Sequence, residues 1–163
     1  MFNLEIVTLA RLLIDEARER SLRIVTAESC TGGLVAAAIC SVPGASDVFE
    51  RGFVTYTNRA KQEMLGVPGD LIADLGAVSE PVCRMMAEGA LDASNAHIAV
   101  AVTGVAGPGG GTRMKPVGLV HIATARSNQR IMHKEEFFEV ETREEIQLAA
   151  VQAALQAMRD RMA

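Results

Sequence analysis

The sequence has little of the aromatic surface and clustered positive charge that nucleic-acid-binding proteins use. It contains no tryptophan and only one tyrosine, so bases would find few side chains to stack on. Its 16 lysines and arginines are outnumbered by 20 aspartates and glutamates, and no stretch gathers five or six basic residues. We therefore expect no nucleic-acid partner, because binding to a phosphate backbone depends on clustered positive charge.

Cysteine and long apolar runs are also scarce. Cys30, Cys40 and Cys83 are odd in number, widely spaced and without a Cys-x-x-Cys pair, which predicts neither a disulfide framework nor a zinc site. The longest apolar stretches, such as 34–40, are far shorter than the ~20 residues that cross a bilayer. Residues 1–5 carry no basic region followed by an apolar core. We expect reduced thiols, no membrane partner and a cytoplasmic location.

The length and the pattern of apolar residues predict one α/β domain. A chain of 163 residues is about one domain's worth, so a single domain over 1–163 is expected. Helices are predicted over about 4–19 and 34–40, from Ser79 and Pro81, and from Thr142, which forms a capping box with Glu145. Strands are predicted at about 23–27, 53–57, 97–102, 117–125 and 130–140. Because the last two strands resemble a hairpin, we predict a three-layer α/β/α domain with a mixed, mostly parallel sheet.

The turn after the first strand is a candidate nucleophile site. Ser29 and Cys30 lie there, just before Gly32 and Gly33 open a helix. Backbone N–H groups at a helix start have no intrahelical partner and can stabilise an oxyanion or hold a phosphate. Two simpler interpretations stay open: Ser29 or Thr31 caps the helix, and Cys30 is an inert buried thiol.

Lys61 is the candidate base for a serine nucleophile. The three histidines, at positions 97, 121 and 133, fall on predicted strands and share no motif with a carboxylate. Lys61 lies three residues after Asn58, the predicted helix cap, where the helix dipole disfavours an ammonium group. A lysine with a lowered pKa can deprotonate a serine hydroxyl. The alternative is an exposed helix lysine.

Three further features surround these candidates. Tyr56 ends the second predicted strand, where it could relay a proton, stack on a substrate or point into water. The loop 103–111 is rich in glycine and fits either an anion cradle or a flexible connector, although it matches no standard nucleotide motif. Arg143 falls at the first position of the last helix, where a ligand anion, or the neighbouring glutamates, would balance its charge.

The loops that carry Ser29 and Thr103 are expected to lie on the same side of the sheet. If the strands before Ser29 and Thr103 are parallel neighbours, both loops emerge at the carboxyl edge of the sheet, where ligands of open α/β folds usually bind. The residues alone therefore favour a metal-independent hydrolase or a binding protein for a small phosphorylated ligand.

Five segments, taken in order, resemble the CinA carboxy-terminal family of nicotinamide-nucleotide amidases. They are AESCTGG (27–33), VPGAS (42–46), YTNRAK (56–61), GAVSE (76–80) and AVTGVAGPGGGT (101–112). The resemblance implies hydrolysis of the carboxamide of nicotinamide mononucleotide to nicotinate mononucleotide and ammonia, in pyridine-nucleotide salvage. It implies no metal and no organic cofactor, and a small phosphorylated molecule as the partner.

The resemblance also assigns residues. It implies that Ser29 is the nucleophile and Lys61 the base, with Tyr56 as a third catalytic residue. The expected substrate-binding residues are Cys30, Thr31, Gly32, Gly33, Thr103, Gly104, Gly107 and Arg143. The N–H groups near 31–33 are expected to hold the oxyanion. The family's arginine usually follows a Gly-Asp pair, whereas Glu141 and Thr142 precede Arg143 here.

Two other functions remain open at this stage. One is an amidase that uses Cys30, Glu28 and Lys61. The other is a non-catalytic nucleotide-binding or partner-binding module linked to competence and DNA damage. The alanine-rich last helix also presents a stripe that could pack on the sheet or on another copy, which makes a homo-oligomer possible.

Overall fold

Five strands and six α-helices build the protein, and a computed structural model describes all residues 1–163. In chain order the elements are α1 (Leu4–Glu19), β1 (Ile24–Glu28), α2 (Leu34–Cys40), β2 (Phe49–Val54), α3 (Asn58–Leu65), α4 (Gly69–Leu75), α5 (Glu80–Asp92), β3 (Ile98–Gly104), β4 (Leu119–Arg126), β5 (Met132–Phe137) and α6 (Arg143–Asp160). A short 3-10 turn, Ala45–Asp47, precedes β2. None of these helices combines the length and the apolar character that a membrane crossing needs.

The strands form one mixed sheet, as predicted. Their order is β2-β1-β3-β4-β5, with β1 parallel to both β2 and β3, and with β4 antiparallel to β3 and to β5. Two pairs are therefore parallel and two antiparallel, and only β4 runs against the other strands. Because β1, β2 and β3 are parallel neighbours, the segments that follow Glu28, Val54 and Gly104 all leave the sheet at the same edge.

Helices cover both faces of the sheet, which confirms the three-layer architecture. Alternate residues of each inner strand point to opposite faces. Ile24, Val100 and Ile122 join a large core beneath α1, α2 and α6. The other face, packed mainly against α5, is lined by smaller residues such as Ala27, Ala101 and Ala123.

The predicted helices agree with the structure better than the edge strands do. Helices α1 and α2 have the predicted bounds, and the capping box of Thr142 and Glu145 is present at the start of α6. The prediction for β2 was displaced: the strand covers Phe49–Val54, and the chain leaves the sheet before Tyr56. The predicted cap of α3 was wrong by one residue. Thr57 is the cap, its Oγ1 accepting from the N–H of Ala60 at 3.0 Å, and Asn58 is the first helical residue.

Candidate active site

A cavity of about 270 Å³ opens where the three parallel strands end. Ser29 directly follows β1, Tyr56 lies in the segment after β2, and Thr103 is the second-last residue of β3. The lining residues are Ser29, Cys30, Tyr56, Asn58, Lys61, Ala77, Val78, Thr103, Gly104, Val105, Ala106, Gly107, Gly109, Gly110 and Arg143. The fold thus brings most of the predicted site residues to one place.

The turn that carries Ser29 is shaped by the buried carboxylate of Glu28. This carboxylate accepts hydrogen bonds from the Thr31 hydroxyl at 2.7 Å and from the N–H groups of Val35 at 2.8 Å and Ala36 at 3.1 Å. The last two are orphan donors in the first turn of α2, which Glu28 satisfies in the manner of a cap. The positive end of α2 is therefore already occupied by a carboxylate of the chain itself.

Ser29 and Lys61 are in direct contact at the floor of the cavity. Lys61 Nζ lies 2.9 Å from Ser29 Oγ, although 32 residues separate them in the chain. Lys61 Nζ also donates to the carbonyl oxygens of Thr55 at 2.8 Å and Tyr56 at 3.4 Å. These carbonyls are free to accept because β2 ends at Val54 and the chain turns away from the sheet. They accept two of the amine hydrogens. The third position on Nζ, which is a hydrogen in the ammonium form and a lone pair in the neutral amine, faces Ser29 Oγ.

Lys61 is 1% exposed, which is rare for a lysine. Burial lowers its pKa below the ordinary 10.5, because the ammonium form loses its hydration. The lowered pKa agrees with the sequence-based prediction, but the physical cause is burial rather than the helix dipole. With Thr57 as the cap, Lys61 is the fourth residue of α3, where the dipole has less effect.

Cys30 is not placed like a nucleophile. Its side chain is buried, and burial raises the pKa of its thiol to about 12. Lys61 makes its side-chain contact with Ser29 Oγ, and Glu28 is committed to α2. The carbonyl oxygen of Cys30 accepts from Gln147 Nε2 at 3.0 Å, which fastens the turn to α6. A thiol with a raised pKa supplies little thiolate near neutral pH, so the geometry does not favour an amidase based on Cys30.

Arg143 crosses the mouth of the cavity. Its Nη1 donates to the carbonyl oxygen of Gly107 at 2.6 Å, and its Nη2 donates to the hydroxyl oxygen of Tyr56 at 2.8 Å. None of the seven ion pairs includes Arg143, so the neighbouring glutamates do not neutralise it. Tyr56 is 57% exposed and its hydroxyl meets Arg143 rather than Ser29 or Lys61. This placement does not support a proton relay and leaves the ring face open.

The opposite wall comes from Thr103 and the glycine-rich loop. The hydroxyl of Thr103 donates to the carbonyl oxygen of Ala77 at 2.9 Å and so ties β3 to the segment before α5. Gly104 has no room for a side chain, since a Cβ there would lie 2.7 Å from the carbonyl oxygen of Leu119. Gly107 has φ +73° and packs beside Val117. These contacts make the loop a shaped wall rather than a loose connector.

Three expected substrate-binding residues lie outside the cavity lining. Thr31 donates its hydroxyl to Glu28, and Gly33 precedes the first helical residue of α2. The N–H of Gly32 donates to the carbonyl oxygen of Ser29 at 3.0 Å, so it is not free for an oxyanion. The expectation of free N–H groups across 31–33 therefore needs correction at Gly32.

Several residues of the site were not predicted from the sequence. The pattern predicts Asn58 as a helix cap, and Ala77 and Val78 carry no reactive group. Thr55 lies outside the lining and contributes only the carbonyl oxygen that binds Lys61. Only their place beside a strand end could have suggested them.

No three His, Cys, Asp or Glu side chains lie close enough together to hold a metal ion. A larger groove, of about 720 Å³ between α1, β5 and α6, contains no serine or cysteine.

The model of the CinA C-terminal domain family matches residues 6–162. The chain belongs to this family. Among curated CinA-like proteins, that of Akkermansia muciniphila is 58% identical over 118 residues, covering 72% of this chain and 28% of that protein. That of Syntrophobacter fumaroxidans is 46% identical over 147 residues, covering 90% of this chain and 34% of that protein. The chain thus spans about a third or less of the length of these CinA relatives.

Solved CinA-family structures have the same fold. The competence/damage inducible protein CihA of Agrobacterium tumefaciens is 49% identical with a TM-score of 0.96, covering 98% of this chain and 97% of that one. A competence-damaged protein (CinA) superfamily member from Klebsiella pneumoniae is 33% identical with a TM-score of 0.91, covering 96% of this chain and 97% of that one. In contrast to the curated relatives, these chains are matched along nearly their whole length.

Proposed function

We propose that this chain is an amidase that converts nicotinamide mononucleotide to nicotinate mononucleotide and ammonia. The observation that carries the proposal is the 2.9 Å contact between Lys61 Nζ and Ser29 Oγ inside a cavity. A serine hydroxyl next to a buried amine with a lowered pKa is an activated nucleophile. The family resemblance supports the choice of a carboxamide substrate.

In the first half of the reaction, neutral Lys61 takes the proton of Ser29 as Oγ attacks the amide carbon. The two carbonyl oxygens of Thr55 and Tyr56 keep the amine oriented while its lone pair faces Oγ. The resulting ammonium then gives this proton to the amide nitrogen, and the C–N bond breaks to release ammonia. The positive charge of the pyridinium ring makes the carbonyl carbon a better electrophile.

In the second half, water attacks the acyl-serine ester. Neutral Lys61 accepts a proton from this water and returns it to Ser29 Oγ as nicotinate mononucleotide leaves. In both halves an oxyanion forms on the carbonyl oxygen and needs hydrogen-bond donors. The N–H group of Cys30 makes no backbone hydrogen bond, and Cys30 lines the cavity. We assign the oxyanion to this group.

The phosphate of the substrate is assigned to the end of the cavity that holds Arg143 and the glycine-rich loop. The guanidinium group has no anionic partner within the chain, and Gly107, Gly109 and Gly110 line the same end. An arginine and close-approaching backbone suit a phosphate group. The first turn of α2 is excluded as the phosphate site because Glu28 occupies it.

The test is ammonia release from nicotinamide mononucleotide in metal-free buffer, with the neighbouring variants Ser29→Ala and Cys30→Ala as a matched pair. Wild type is expected to turn over, and Ser29→Ala is expected to lose at least about a thousandfold in kcat, as nucleophile removal does in serine hydrolases. Cys30→Ala is expected to keep activity within several-fold of wild type, because its thiol is not the nucleophile.

Two results would overturn the proposal. Loss of activity in Cys30→Ala alone would move the nucleophile to the thiol. Folded wild type that binds nicotinamide mononucleotide in calorimetry but releases no ammonia would make the chain a binding module.

A further inference from the structure

Two histidines that the proposed mechanism does not use form a partly buried pair behind the candidate site. His121 Nδ1, on β4, lies 2.9 Å from His133 Nε2, on β5, and the two rings stack with centroids 5.1 Å apart. His121 is 6% exposed, and much of the surrounding sheet face consists of alanines packed on α5. Burying two polar rings among small apolar residues is costly unless their nitrogens are satisfied. The ring nitrogens of this pair therefore need hydrogen-bond partners within the protein, whereas those of a surface histidine are hydrated.

The pair continues into the first turn of α5. His133 Nδ1 lies 3.4 Å from Glu80 Oε1. The negative charge of Glu80 favours the form of His133 that carries a hydrogen on Nδ1, the nitrogen that faces it. The other oxygen of Glu80 accepts from Arg84 Nε at 2.8 Å, and Arg84 Nη1 donates to the carbonyl oxygen of Ile131 at 2.9 Å. The contacts from His121 to His133 and from His133 to Glu80 thus join the β4–β5 hairpin to the start of α5.

The same start of α5 leads into the wall of the cavity. Ala77 and Val78 line the cavity just before Glu80, and the hydroxyl of Thr103 donates to the carbonyl oxygen of Ala77 at 2.9 Å. Thr103 is also the residue directly opposite His121 in the antiparallel register of β3 and β4. The histidine pair is therefore linked to the 76–79 segment by two indirect routes, one through Glu80 and one through Thr103.

We propose that His121, His133 and Glu80 are positioning residues that hold the 76–79 segment against Thr103 and make substrate affinity fall in acid. The proposal rests on the amidase function proposed above. In the neutral pair, one ring nitrogen of the 2.9 Å contact donates and the other accepts. A first added proton preserves this arrangement. A second proton puts hydrogens on both facing nitrogens, which breaks the bond and sets two cations against each other.

The groups around the histidine pair set the pH at which the second proton binds. Burial is the main cause that lowers the pKa of both imidazoles below the ordinary 6.5, and their proximity adds to the effect at His121. The charged groups that face the pair are Glu80 and Arg84 on α5, Glu135 on β5, and Lys115 between β3 and β4. The two glutamates favour protonation, while Arg84 and Lys115 oppose it. The pair is therefore expected to be intact at neutral pH and to open in acid.

The test measures KM for nicotinamide mononucleotide in steps between about pH 5 and about pH 7.5 in wild type and in His121→Asn. The asparagine amide can replace the Nδ1 contact but cannot take up a proton. Wild-type KM is expected to rise about fivefold or more in acid, the lower end of coupling between two sites, and to rise less in His121→Asn. Since the substrate phosphate titrates at about pH 6 in every sample, the difference between variants is the quantity that decides.

Two further variants supplement this comparison, one as a control and one as an independent test. His97→Asn changes a histidine at the opposite end of β3, so its KM ratio should equal that of wild type. Glu80→Gln, at a half-exposed side chain, should fold even if His121→Asn does not. Losing the carboxylate makes the protonated pair less stable, so the rise in KM should move to lower pH. An unchanged midpoint in Glu80→Gln, or equal KM ratios in wild type and His121→Asn, would refute the proposal.

A readout without turnover separates this inference from the amidase proposal. The NMR amide shifts of Ala77 and Thr103, in substrate-free protein, should follow the histidine titration in wild type and change less in His121→Asn, where only His133 of the pair can take up a proton. Amide shifts that ignore the histidines would overturn the positioning role even if the amidase is active. If no ammonia is released but the shifts follow the histidines, the coupling stands and only the proposed function fails.

Discussion

Lys61 is the residue on which the candidate site depends, because the fold has removed a charged side chain from water. Its amine is held by two backbone carbonyls and by Ser29 Oγ, so it keeps hydrogen-bond partners while losing hydration. This combination lowers the pKa without leaving the amine free to move. A base of this kind is oriented before the substrate arrives.

The pH dependence of the proposed amidase should report this lysine. Only neutral Lys61 can accept a proton, so kcat/KM is expected to rise with pH and to level off above the pKa of Lys61, which lies below 10.5. Lys61→Arg should lose at least about a hundredfold in kcat/KM, because a guanidinium group does not deprotonate in proteins. The measurement is the pH profile of initial rates with nicotinamide mononucleotide.

Lys134→Met is the matched control, since this lysine lies on β5 in the groove beside α6. Its profile should coincide with that of wild type. A profile in which Lys61→Arg retains the wild-type rate and midpoint would remove Lys61 from the role of base.

Chemistry-bearing residues were easier to predict than the residues that position them. Ser29 stood out because a serine between a strand and a Gly-Gly helix start is a distinctive local pattern, and Lys61 because a serine needs a base. Their contact, across 32 residues, became visible only with the topology. Thr57 and Asn58 are both good caps, and their order could not be decided from propensity alone.

At the scale of elements, α5 is placed by its close approach to α3. Gly89, within α5, faces the end of α3, where a Cβ would lie 2.0 Å from the carbonyl oxygen of Leu65. Backbone atoms cannot yield as a flexible side chain can. The sheet face against which α5 packs is lined by small alanines, and Gly89 leaves room for the backbone of α3.

Gly89→Ala is therefore expected to destabilise the protein, although alanine is the better helix former. The clash should outweigh the ~1 kcal/mol gain in helix propensity and lower the free energy of unfolding by about 1–3 kcal/mol, as overpacking does. Urea denaturation measures the change. Gly109→Ala is the control, because a Cβ there meets nothing within 4 Å; equal stability of the two variants would contradict the packing argument.

The same scale explains which strands were poorly predicted. Strands β1, β3 and β4 are buried along nearly their whole length and consist mainly of apolar residues. Strands β2 and β5 are the two edges of the sheet and carry exposed charged residues, including Arg51 and Lys134. Edge strands use such charges to avoid pairing with other chains, which blurs the pattern that predicts their ends.

At the scale of the whole molecule, α1 and α6 close the fold by packing together on one face of the sheet. Glu16 and Arg159, which are 143 residues apart, form a two-pronged ion pair with Arg159 Nη2 2.6 Å from Glu16 Oε1. The side chains are 27% and 23% exposed, so the pair is partly shielded from solvent. The three-layer class followed from the alternation of helices and strands, whereas no local pattern could pair these two residues.

Arg159→Gln should lower the free energy of unfolding by about 1 kcal/mol at low salt, with a smaller loss in 1 M salt where the Debye length falls to about 3 Å. The comparison is urea denaturation at the two salt concentrations. Arg59→Gln is the control: its pair with Glu63 is 85% and 60% exposed, and we expect no measurable change. A larger loss in Arg59→Gln than in Arg159→Gln would contradict the assignment.

The direction of β4 divides the molecule into two ends that serve different purposes. The candidate site lies where β1, β2 and β3 finish, while Arg126 at the end of β4 pairs with Ile98 at the beginning of β3. The turn between β4 and β5, with Asn128 in the left-handed region, therefore lies at the opposite end of the strands from the candidate site. For engineering, this turn is the natural attachment point for a fluorophore or a surface tether, since a probe there leaves the mouth of the cavity free for ligand.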